Sequence, residues 1–135
     1  MSLTIICLTG PASTGKTSTI REFTRRYLGY HRPRGDVLGI FEMPRLRYAV
    51  GVSGSGDALY FILKGQKFLT RYHGLRVMIV ASRSNGITLQ RVQQFATKTR
   101  AAFYPIPTTK IASNQGRAQA INQNVLEIRR RLPKK

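Results

Sequence analysis

Residues 10–17 read Gly-Pro-Ala-Ser-Thr-Gly-Lys-Thr and stand between two segments of different periodicity. Before them, residues 3–9 (LTIICLT) form an apolar, partly β-branched run, the pattern of a buried strand. After them, Ile20, Phe23, Tyr27 and Leu28 recur at helical spacing, with Arg21, Arg25 and Arg26 on other faces. The chain must therefore pass from strand to helix through a short glycine-bearing loop. Glycines let the backbone wrap closely around an anion. Successive N–H groups then converge as a nest, and the helix amino end adds its partial positive charge. The spacing G-x-x-x-x-G-K-[ST] thus predicts a phosphate-binding loop made by Gly10, Pro11, Ala12, Ser13, Thr14, Gly15, Lys16, Thr17 and Ser18. In such a loop Lys16 reaches the β- and γ-phosphates and the Thr17 hydroxyl ligates Mg²⁺.

The rest of the chain alternates between the two periods. Residues 37–42 (VLGIFE) and 46–52 (LRYAVGV) flank a short connection through Pro44 and read as an antiparallel hairpin. Ala58 to Thr70 has helical spacing, and residues 75–82 (LRVMIVAS) are the clearest central strand. Residues 88–99 read as a helix. Residues 101–107 (AAFYPIP) carry two prolines, which restrict them to an edge strand or an extended loop. A last helix, Gln115 to Leu132, places Ala118, Ile121, Val125, Ile128 and Leu132 on one stripe, with Glu127 one turn before Arg131. The expected class is α/β, with a mostly parallel five-stranded sheet, helices on both faces and one antiparallel hairpin. One domain spans residues 1–132, and residues 133–135 form a frayed basic tail.

With its strand before and helix after, the loop resembles that of the P-loop NTPase superfamily; the likeness is specific over residues 3–28. It implies the three-layer fold of that superfamily, a nucleoside triphosphate and Mg²⁺. It also implies an acid, usually Asp, at the end of a second strand. The chain offers five acids in all: Glu22, Asp36, Glu42, Asp57 and Glu127. Glu22 and Glu127 belong to helices beside arginines. Asp57 ends the run Ser-Gly-Ser-Gly-Asp after the hairpin, as in small GTPases, and is the leading candidate for the metal; it also suits the N-cap of the helix from Ala58. Glu42, ending an apolar run, is the alternative metal ligand, and Asp36 is a third candidate. Arg83 follows a strand's carboxyl end, where an arginine can stabilise a transferring phosphoryl group. The expected catalytic set is Lys16, Asp57 and Arg83. Arg32 and Arg34 are candidates for a lid.

The base is less strongly marked. GTPases read guanine with Asn/Thr-Lys-x-Asp, whereas residues 109–112 read Thr-Lys-Ile-Ala, followed by Ser113. ATP is the expected nucleotide. Composition bears on the partner: Lys plus Arg number 23 against 5 Asp plus Glu, a formal net charge of +18. Such self-repulsion favours an anionic partner, nucleic acid first and an acidic protein second. Cys7 has no second cysteine to bridge to, and no apolar run reaches the length of a membrane span. The expected protein is cytoplasmic, without membrane insertion, and is a Mg²⁺-dependent ATPase. A small P-loop kinase and a non-catalytic nucleotide- or nucleic-acid-binding module are the alternatives. An oligomer is compatible with so short a chain.

Overall fold

The computed structural model describes residues 3–11, 14–43, 47–53, 75–82 and 87–133. Among these residues, five strands form one sheet: β1 (Thr4–Thr9), β2 (Leu38–Met43), β3 (Tyr48–Ser53), β4 (Leu75–Ser82) and β5 (Ala102–Pro107). Their order across the sheet is β2-β3-β4-β1-β5. Three pairs are parallel, β3 with β4, β4 with β1 and β1 with β5; only β2 runs antiparallel, to β3. The described helices are α1 (Lys16–Tyr27), α2 (Ile87–Thr99) and α3 (Asn114–Arg131). The expected α/β class, five strands and single antiparallel pair are therefore present. The helix expected over residues 58–70 lies outside the described residues.

The uninterrupted apolar runs follow from burial on two faces. All six residues of β1 are buried, and successive side chains enter opposite cores. Ile6 and Leu8 join Val50, Val52, Val77 and Ile79 under α1 (Ile20, Phe23) and α3 (Val125, Ile128). Ile5 and Cys7 join Met78 and Val80 under α2 (Val92, Phe95, Ala96). The chain thus forms three layers, with α1 and α3 on one face and α2 on the other.

Two local expectations are sharpened. Pro105 and Pro107 lie on β5, which pairs only with β1, so their missing N–H groups cost no second ladder. The described chain is held up to its last residue, Pro133. Leu132 packs against the core, and the Tyr48 hydroxyl donates to the Pro133 carbonyl at 2.9 Å.

The strand order fixes where a ligand crevice lies. From β1 the chain crosses through α1 toward β2 and β3. From β4 it crosses through α2 in the other direction, past β1, to β5. Neighbouring strands β1 and β4 therefore send their connections opposite ways. The carboxyl ends of such a pair form the crevice where open α/β sheets bind ligands.

Candidate nucleotide site

The loop after β1 opens into that crevice. Gly10 has φ +151° and lies against Thr108: an added Cβ would sit 2.2 Å from the Thr108 hydroxyl oxygen and 2.7 Å from its carbonyl oxygen. Only glycine fits there. Thr108, buried just past β5, links three parts of the site. Its N–H and its hydroxyl both donate to the Thr9 carbonyl, at 2.7 and 2.8 Å. Its hydroxyl oxygen also lies 2.6 Å from that of Thr14, which in turn donates to the Pro11 carbonyl at 2.9 Å. The end of β1, the loop and the end of β5 are thereby held together.

Gly15, at φ +89°, is the N-cap of α1 and offers no side chain to its first turn. No acidic residue occupies that turn either, so the amino end of α1 is left suited to an anion. Lys16 begins the helix and turns back across the crevice. Its Nζ donates to the Gly10 carbonyl and, at 3.1 Å, to the Ser82 carbonyl. Gly10 follows β1 and Ser82 ends β4, so the ammonium bridges the two strands that flank the crevice. The Gly10 N–H also donates to the Ser82 carbonyl, at 3.2 Å.

On one side of the loop, Asp36 comes to the helix start. The Thr17 hydroxyl donates to its Oδ1 at 3.3 Å. Arg21 secures this arrangement by donating to the Gly35 carbonyl at 3.2 Å and to the Ser18 hydroxyl at 3.3 Å. Val37, 1% exposed, anchors the segment in the core. The Arg32 guanidinium lies against Gly35, beside Asp36. The chemistry of this donor set can be tested against Mg²⁺. A hydroxyl and one carboxylate are hard oxygen donors, and Mg²⁺ commonly takes one or two carboxylates together with phosphate oxygens and water. Thr17 and Asp36 fit that pattern. Among the described residues no cluster of three or more His, Cys, Asp or Glu offers an all-protein cage.

On the other side, a cleft of about 460 Å³ opens between the loop and the start of α3. Thr14, Gly15 and Ser18 form one wall; Thr109, Ile111, Asn114, Arg117 and Ala118 are on the other. Arg117 donates to the Asn114 side-chain oxygen, and the cleft lining holds no carboxylate. Ser113 holds this wall in shape: its hydroxyl accepts from the Gly116 N–H at 3.0 Å as the N-cap of α3. Gly116 is needed there, because a Cβ would lie 2.7 Å from that hydroxyl and 2.8 Å from Ile111.

The sequence-derived candidates divide as follows. Gly10, Pro11, Thr14, Gly15, Lys16, Thr17 and Ser18 share the crevice edge, with Asp36 beside them. Ala12, Ser13, Asp57 and Arg83 lie outside the described residues. The Glu42 alternative lies away from the crevice. Glu42 pairs with Ala49, whereas Leu38 and Ser53 mark the crevice end of the hairpin. Four residues at the usual strand rise put Glu42 roughly 13 Å along the sheet from that end. Its apolar run ends in an acid at the wrong edge because β2 runs antiparallel. Ala118 and Ile121, the first two residues of the α3 stripe, line the cleft.

Thr108, Arg21, Asn114 and Arg117 are additions that sequence reading missed. The available signal was position: residues 108–117 follow a strand that ends at the same edge as β1. Comparison with protein families, with curated proteins and with solved structures returned no match for this chain.

Proposed function

We propose that the chain binds a nucleoside triphosphate with Mg²⁺ at residues 10–18 and hydrolyses it. The observation that carries this reading is the position of Lys16. Its ammonium bridges the carboxyl ends of β1 and β4, beside a loop with two left-handed glycines and an uncapped helix start. On binding, Lys16 exchanges those carbonyl oxygens for phosphate oxygens. Backbone N–H groups of the loop and first helical turn receive the remaining charge. Thr17 and Asp36 hold the metal, which neutralises phosphate charge when bound. Asp57 stays a candidate for the same metal or for the attacking water, and Arg83 for charge stabilisation.

The cleft beside Thr109 and Arg117 suits the base. Ile111 and Ala118 offer apolar surface, and Arg117 a stacking cation. Without a carboxylate to accept from guanine N–H groups, the cleft favours adenine, so ATP is the proposed nucleotide.

The Thr17–Asp36 contact beside Arg32 supports a second reading, transfer of the γ-phosphate to an acceptor. There Asp36 takes the acceptor hydroxyl's proton while Arg32 and Arg34 hold its negative groups. Calorimetry with Mg-ATP tests the binding: Lys16→Ala abolishes it, and retained affinity sinks the proposal. Turnover separates the readings. Phosphate release without an acceptor, with a raised Mg²⁺ requirement in Asp36→Asn, favours hydrolysis with Asp36 at the metal. Label appearing only on an added nucleoside or nucleic-acid end, and lost in Asp36→Asn, favours transfer.

A further inference from the structure

The described helices carry similar net charge but mix the two signs differently. On α1, Glu22 accepts from both Arg25 and Arg26, the latter at 2.8 Å. On α3, Glu127 accepts from Arg130 at 2.9 Å and from Arg131 at 3.0 Å. Each of these helices carries a glutamate that partly neutralises its own arginines, and the Arg25 and Arg130 hydrogen bonds hold the two carboxyls below their usual range.

Helix α2 is built differently. Its sequence, ITLQRVQQFATKT, contains no acid. Val92, Phe95 and Ala96 are buried against the sheet, which leaves Gln90, Arg91, Gln93, Gln94, Thr97 and Lys98 on the outer surface. Gln90, Gln93, Gln94, Thr97 and Lys98 follow the i, i+3, i+4, i+7, i+8 pattern and line one shallow groove of about 430 Å³. A second groove of about 450 Å³ adjoins it through Gln93 and Thr97 and is bordered by Arg100. Arg91 and Lys98 are two turns apart, within about 20° of one line, and so roughly 10 Å apart along the helix.

We propose that the outer face of α2 docks a nucleic acid. The cations Arg91 and Lys98 have no acid on their own helix to neutralise them, Arg100 follows directly after it, and their spacing suits successive contacts along a phosphate backbone. The glutamine carboxamides between them both donate and accept, as base edges and sugars require. An ordinary solvated helix face mixes both signs, as α1 and α3 do here; this one pairs cations with neutral hydrogen-bonding groups. It lies on the sheet face opposite α1, so a bound strand leaves the helix that carries Lys16 uncovered. The inference does not depend on nucleotide turnover.

The test uses the full chain and a fluorescent 20-base-pair DNA duplex, with the matching single strand and an RNA duplex as parallel probes. Binding is measured by anisotropy from 50 to 300 mM salt. Arg91→Gln/Lys98→Gln removes two exposed cations. It should weaken duplex binding at least about tenfold at 0.1 M salt and lower the salt slope by about 1.8. Gln90→Ala/Gln94→Ala should weaken binding and leave the slope unchanged. Arg129→Gln/Arg130→Gln on α3 serves as the comparison and should have the smaller effect. Unaltered affinity and slope in the α2 cation variant overturn the proposal. So does an equal loss from the α3 variant, or absence of binding to all three probes by the unaltered chain at 50 mM salt. Binding only to an acidic protein, or to heparin without nucleic acid, overturns it also. Mg-ATP affinity, measured on the same variants, should not change, which keeps this result separate from the fate of the nucleotide site.

Discussion

Gly10→Ala probes the contact on which the loop geometry rests. The new Cβ would meet the Thr108 hydroxyl oxygen at 2.2 Å, its carbonyl oxygen at 2.7 Å and the Thr14 hydroxyl oxygen at 3.1 Å, in a backbone conformation with φ +151°. The conformation alone costs about 1–3 kcal/mol for a residue with a side chain. Overpacking adds roughly 1–3 kcal/mol, and displacing Thr108 weakens the hydroxyl bond that joins it to Thr9. A total of about 3–5 kcal/mol is expected. For a chain of 135 residues the unfolding entropy is about 0.28 kcal/mol/K near 60 °C, so Tm should fall by roughly 10–18 °C. The chain has no tryptophan, so far-UV circular dichroism is the suitable readout. Gly10→Ala/Thr108→Ala, referred to Thr108→Ala, removes the hydroxyl clash and leaves the carbonyl one, so the glycine substitution should cost less in that background. A Tm within about 3 °C of the unaltered protein for Gly10→Ala would refute the reasoning. An equal cost of Gly10→Ala in the two backgrounds would show that the Thr108 hydroxyl is not the obstacle.

Two further outcomes follow from the same geometry. Ser113→Ala removes the N-cap of α3 and should cost about 1 kcal/mol in urea unfolding, whereas Ser113→Asp, a good cap, should cost little; equal losses would count against the capping role. Cys7 gives a pH dependence. Burial raises its thiol pKa above the usual value, against smaller lowering effects from the Ser82 hydroxyl and Lys16. The folded chain therefore keeps the thiol proton at a pH where the unfolded chain releases it. Its stability contribution is complete below about pH 8.5 and declines as pH rises further, at up to about 1.4 kcal/mol per pH unit. Cys7→Ala should flatten that decline between pH 8 and 10; an unchanged alkaline slope would remove Cys7 as its source.

The sequence alone determined the elements that repeat a strong physical signal. The β-branched run at residues 4–9, the helical stripe through Ile20 and Phe23 and the run at residues 75–82 each became the element their period required. A segment buried on both faces has few other choices. The passage from strand to helix, with Gly10 and Gly15 at positive φ, was legible for the same reason: two glycines at fixed spacing between a strand and a helix have a narrow set of geometries. Only the tertiary structure decided which distant groups meet that loop. No local pattern marks Thr108, 98 residues beyond Gly10, as the post that requires a glycine there. Strand order brings β5 beside β1 and so brings Thr108 to the loop. The acids show the same division. Asp36 and Glu42 stand at opposite ends of one strand, and sequence reading could not say which end faces the crevice. The antiparallel direction of β2 sends Glu42 to the far edge and leaves Asp36 within 3.3 Å of Thr17. Periodicity is a local property of the chain and can be read along it. The crevice depends on where strands pair and which way each connection turns, and those are set only when the sheet closes.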